Sequence, residues 1–426
     1  MFVINTIVLL FAFLTKCDSP TQPLPTISVS QTSVPPLFSL TSDDRYRPMR
    51  VYFETELLNN APISAGFKTL IKDVMLARVT AWVASLIQAN GPRSIGSIPL
   101  TACTSAVPIP SRYAGTFYYT NAELVVFVTA ENNVTASYVA QSAPCKVNDY
   151  NRRPYIGYMK FNTRYLTLNE QDFDKFSRVA MHELMHILVL SSNIYPLYNH
   201  AAYPYKPYFI TQGVTYFNTT RLVAFARDHF GCANITAVPF EDLGTSATIL
   251  STHFEKRLFG NELMTSQNLD EMPLSGLTIA LLLDSGWYLV DPSAAEQLWW
   301  GKGRGCAMKN SLCDSRLPEF CTTPGVFSCT ADYRAGAFCV SNAYANGCLL
   351  KDYNRIYFCE QGSGAGTDSF LSSPFKARGA NARCLQVKNS LNVDAFGCFS
   401  TRCNSDGTLR VIAQSQSYIC TNSSQV

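Results

Sequence analysis

Eleven of the chain's 15 cysteines fall between Cys306 and Cys420, and that crowding constrains the fold more than any other feature of the sequence. A stretch so rich in cysteine depends on covalent staples more than on a large apolar core. Residues 292–426, after Asp291-Pro292, are therefore expected to form a separate, loop-rich domain tied by disulfides. Cys17 borders an apolar run from Ile7 to Leu14 that reads as a secretory signal over residues 1–18. Setting it aside leaves an even number of cysteines, as pairing requires. If Cys103 then pairs with Cys145, parity sends Cys232 to one of the eleven. Sequons at Asn133, Asn218, Asn234 and Asn422 agree with the same oxidising route, so a secreted, extracellular glycoprotein is expected.

A length of 426 residues suggests roughly two to three domains. The net charge of +3, with 15% charged residues, offers no basic stripe, and no nucleic-acid partner is expected. No later segment reaches the ~18 uninterrupted apolar residues of a membrane helix. The polar end, Thr421 to Val426, differs from a lipid-anchor tail. Residues 19–48, rich in Pro, Ser and Thr, read as a leader without a core.

Between leader and cysteine-rich end the patterning alternates strand and helix. Strands are predicted at Val51-Tyr52-Phe53, Leu124 to Val128 and Tyr155 to Phe161. Helical spacing runs from Lys68 to Gln88, and again from an N-cap at Asn169 through Leu190. Residues 49–190 thus read as an α+β or α/β subdomain, a mixed twisted sheet on two long helices. A central subdomain, 191–291, adds helices near Arg221 to His229 and Leu277 to Leu283.

The second helix carries His182-Glu183-Leu184-Met185-His186, the H-E-x-x-H pattern. Residues four apart are about 40° apart around a helix, so both imidazoles face one point, while Glu183, about 100° round, sits beside it. Two histidines on one face suit a metal, and the carboxylate is placed to reach a bound water as general base. Catalytic zinc usually takes three protein ligands, so a third is needed. His200, His229, His253 and Glu241 are all candidates, and spacing does not choose among them.

Dispersed residues now matter: Ala226-Arg227, Gly231-Cys232, Glu241-Asp242, Ser251-Thr252-His253, Asn261-Glu262-Leu263-Met264, Asp284-Ser285-Gly286-Trp287, then Trp300-Gly301, Gly305-Cys306 and Cys313. In this order they resemble the leishmanolysin family of zinc endopeptidases, a metzincin branch with a long insertion after H-E-x-x-H. The resemblance spans most of the chain from about Arg50. It implies a metzincin-type catalytic domain, one zinc ion, His253 as third ligand, 67 residues beyond His186, and Met264 as the Met-turn residue. Two departures stand out. Val189 occupies the position, three residues after His186, where metzincins typically have a Gly in a sharp turn, and a β-branched residue resists positive φ. The only cysteine before Cys103 is Cys17, so latency through a leader cysteine is unsupported.

The expected function is a zinc metalloendopeptidase, with Glu183 deprotonating a zinc-activated water that attacks the peptide carbonyl. Protein or peptide substrates and a monomer are expected, and association with a cell surface stays open. A weakly active or inactive adhesion protein is the alternative, favoured by Val189. A purely structural zinc fits less well, because such sites are usually closed by four protein ligands.

Overall fold

The computed structural model describes residues 9–11 and 46–420, apart from 91–93, 96–97, 104–106, 115–118, 121, 199–205, 243–249, 353–356, 361–376, 378, 389–393, 406–407 and 414–415. Most of the expected signal, nearly all of the expected leader, Cys17, His200 and Asn422 lie outside the described residues. The chain divides into two compact units. The larger takes the described residues between 46 and 268 with 272–298, and the smaller takes 269–271 and the described residues from 299 onward, with 9–11.

The larger unit is built on a four-stranded sheet: β1 (Val51–Glu54), β2 (Leu124–Glu131), β3 (Ala140–Val147) and β4 (Pro154–Asn162). The order is β1-β2-β4-β3, parallel except for β3, which runs antiparallel on one edge. The run Leu124-Val125-Val126-Phe127-Val128 is fully buried, as expected of a parallel strand covered on both faces. Val125, Phe127 and Ile156 pack against Ile98, Val107 and Tyr113 on one side. Cys145 of β3 is disulfide-bonded to Cys103, beneath that same layer.

Two long helices serve this sheet. Residues 65–86 form one helical run, α1, whose middle, Leu70–Leu76, is π-helical. It starts on Ser64, which accepts from the Phe67 N–H, and gives way to a strand, Ile87–Asn90, inside the helix end expected from the sequence. The second, α2 (Phe173–Leu188), is preceded by a 3₁₀ turn capped by Asn169, so the expected cap lies one turn early. Its packing against the sheet is close. A Cβ added to Gly157 of β4 would fall 2.6 Å from Ile187 Cγ2 and 3.1 Å from the Ala143 carbonyl oxygen. Gly157→Ala should therefore overpack the interface, at roughly 1–3 kcal/mol. A thermal midpoint equal to wild type would refute that account of the glycine.

Two further helices follow, α3 (Thr220–Phe230) and α4 (Gly276–Asp284). Asp284, fully buried, accepts from the Arg221 and Leu222 N–H groups at the start of α3 and so locks the pair together. In the smaller unit, an antiparallel sheet joins Ala382–Lys388, Asp394–Cys403, Leu409–Ala413 and Gln416–Cys420, with Leu9–Phe11 beside the first of them. Its core is cystine: Cys329–Cys384 and Cys359–Cys398 are bridged and packed together, and Cys313–Cys348 and Cys321–Cys339 staple the loops. Cys232 is also in a disulfide and not a free thiol. Among the described residues no helix is long and apolar enough to cross a membrane.

Candidate metal centre

Helix α2 presents His182, Glu183 and His186 because its other face is apolar: Phe176, Val179, Ala180, Leu184 and Ile187 are buried. The helix is pinned laterally by Arg178, whose guanidinium meets Glu296 in a two-pronged ion pair at 2.6 and 2.5 Å. At its end the amides of Val189 and Leu190 both donate to the Met185 carbonyl at 2.9 Å. Val189 has φ −142° and ψ −32°, so the chain leaves the helix without the left-handed residue that a Gly would supply. The positive φ expected at Val189 is therefore not adopted, and the Val189 carbonyl accepts from Tyr198 Oη at 2.8 Å.

His253 arrives from far along the chain on a strand-like stretch. Its carbonyl accepts from the Glu241 N–H, and the next amide, Phe254, donates to the Met264 carbonyl, both at 2.9 Å. Phe240, Phe254, Phe217 and Tyr195 pack around that stretch, mostly edge to face, and Tyr195 Oη donates to the Ser251 carbonyl at 3.0 Å. The excursion between His186 and His253 thus closes through aromatic packing.

The three Nε2 atoms form a near-equilateral triangle: 3.0 Å between His182 and His186, and 3.2 Å from each to His253. His182 Nδ1–H is directed at the Leu263 carbonyl at 2.6 Å and His186 Nδ1–H at the Leu190 carbonyl at 2.8 Å. With those protons on Nδ1, both Nε2 atoms turn bare lone pairs inward. Burial holds His182 down to about 4, and burial with the neighbouring His182 holds His186 down to about 3. His253 is held well below the usual range by burial and then by the other two imidazoles. Converging lone pairs repel unless a cation lies between them. Zinc with tetrahedral bonds of about 2.0–2.1 Å sets its nitrogens roughly 3.3 Å apart, so the donor set fits.

Glu183 is buried beside this triangle, with its carboxyl pushed up to about 7 by burial against the hydrogen bond from Ser142. Ser142 Oγ, on the edge strand β3, lies 2.8 Å from Glu183 Oε2 and 2.7 Å from its carbonyl oxygen. Ser142 has no signature in the sequence, because β3 itself carries no alternating apolar signal. Met264 is fully buried, in the turn whose Leu263 carbonyl faces His182. The other candidate ligands sit elsewhere: His229 is buried on α3 and stacks on Phe225, while Glu241 clusters with Asp242 and Glu255.

A family model described as leishmanolysin matches residues 69–425. The chain belongs to the leishmanolysin family. It is 27% identical to a leishmanolysin-like peptidase of Drosophila melanogaster over 273 residues, 51% of this chain and 40% of that protein. A leishmanolysin homolog of Crithidia fasciculata is 28% identical, over 68% of this chain and 44% of its own length. A ciliated left-right organizer metallopeptidase of Xenopus laevis is 26% identical, over 78% and 55% respectively. The match thus covers about half the length of these leishmanolysin relatives.

Proposed function

We propose that the protein is a zinc-dependent metalloendopeptidase of the secretory pathway, with a metzincin-type catalytic domain. The observation that carries this reading is the triangle of three imidazole Nε2 atoms, at least two of them unprotonated, beside a buried glutamate. His182, His186 and His253 would hold the ion, and Met264 would form the turn beneath it. When bound, zinc supplies the Lewis acidity that activates a water and polarises the scissile carbonyl. Glu183 takes the water's proton as the water oxygen attacks the carbonyl carbon. It then delivers that proton to the leaving amine as the C–N bond breaks, so no covalent intermediate on the chain is needed. Ser142 suits both stages. Its single hydrogen points to Oε2 while Glu183 is ionised, and turns to the Glu183 carbonyl when the carboxyl carries the proton.

The substrate is an extended peptide added along the outer edge of β3, the strand that carries Ser142 to the base. Exposed asparagines at Asn218 and Asn234, together with the disulfides, support an extracellular location. Val189, the feature that favours the adhesion alternative, takes a negative φ, and the three imidazoles converge with it in place. The deciding experiment incubates the purified protein with unfolded protein and peptide substrates, with chelator, and with chelator followed by zinc. Cleavage that stops and returns is expected. Stoichiometric zinc without cleavage of any peptide would favour the adhesion alternative.

A further inference from the structure

Glu262 is a fully buried carboxylate, and such a group is costly to keep dry unless its oxygens are well supplied with donors. Here they are. Oε2 accepts from the Met264 N–H at 2.5 Å, and Oε1 accepts from the Ser275 N–H at 3.3 Å, Ser275 Oγ at 2.9 Å and Thr278 Oγ1 at 2.7 Å. Ser275 is the N-cap of α4, so one carboxylate ties the 260–265 turn to the start of that helix. None of these donors is a cation, and an apolar side chain would fill the space without the desolvation cost.

The turn so fastened touches both halves of the histidine triangle. Its Leu263 carbonyl faces His182 Nδ1–H, and its Met264 carbonyl receives the amide of Phe254, the residue after His253. The Leu263 amide is held in turn by the Pro273 carbonyl at 2.9 Å. We propose that Glu262 is a positioning residue of the metal centre: it sets the carbonyl that orients His182 and the carbonyl that anchors the His253 stretch. This rests on the reading that the three imidazoles hold a metal.

Glu262→Gln keeps the shape and removes the function. A carboxamide has one acceptor oxygen, so either orientation turns its NH₂ toward a backbone N–H that cannot reverse, that of Met264 or that of Ser275. The full chain is titrated with zinc against a chromogenic chelator, the visible spectrum of its cobalt-substituted form is recorded, and the metal-free thermal midpoint is measured. Asp284→Asn is the control, since Asp284 is also fully buried and also serves backbone amides. Loss of an outer partner of a ligand typically weakens metal binding about 10–100-fold. Glu262→Gln is expected to weaken zinc by about tenfold or more and to shift the cobalt bands, while Asp284→Asn lowers the midpoint and leaves both unchanged. Should Glu262→Gln not fold, Thr278→Val removes one donor alone and should weaken zinc by a few-fold. Wild-type zinc affinity and cobalt spectrum in the folded variant would overturn the proposal. A wild-type chain that binds neither metal would instead overturn the reading of the site itself.

Discussion

Glu183→Ala is expected to leave zinc bound and to abolish peptide cleavage. General base catalysis contributes about 10²–10⁴-fold, and here the same carboxyl also serves as the acid for the leaving amine, so the loss should lie at the upper end. The variant should fold, because Ser142 Oγ keeps an acceptor in the residue 183 carbonyl, 2.7 Å away in wild type. Its readouts are kcat/KM on a quenched peptide and the zinc content of the same sample. Retained cleavage would remove Glu183 from the mechanism, whatever the fate of the metal.

His253→Ala is expected to strip the centre. Two imidazoles four residues apart on α2 would remain, and zinc is held poorly by two ligands. The affinity should fall by more than the roughly 10–100-fold that removal of an outer partner costs. His229→Ala supplies the comparison, since His229 stacks on Phe225 within α3 and has no place in the triangle. Zinc retained by His253→Ala through dialysis against a chelator that leaves wild type loaded would show that another group completes the coordination.

The helix-borne part of this site is legible in sequence because helical geometry is local: a spacing of four fixes both imidazoles on one face before any tertiary contact forms. The third histidine is not legible in the same way. Whether His200, His229 or His253 returns to α2 depends on how Tyr195, Phe217, Phe240 and Phe254 pack, and aromatic packing over so long a separation leaves no periodic trace. Only the resemblance to a family selects His253, and Ser142 carries no sequence signal at all. Its strand, Ala-Gln-Ser-Ala-Pro-Cys-Lys-Val, is an edge strand with a proline and little alternation, which is the composition edges tolerate and strand patterns overlook. Val189 shows the converse. The valine predicts a strained turn at positive φ, yet with a second amide bonded to the Met185 carbonyl the chain leaves the helix at negative φ.

The bond between Cys145 and Cys103 lies where β3 loses its regular register, between Pro144 and Lys146. Without that crosslink the register of β3 would rest on its ladder to β4 alone, and Ser142 lies three residues from the irregularity. A chain folded among reducing thiols would therefore keep His182 and His186 on their helix but set them beside a less firmly held edge strand. The chemistry of the compartment, through one bridge, becomes a condition on how well the site is aligned.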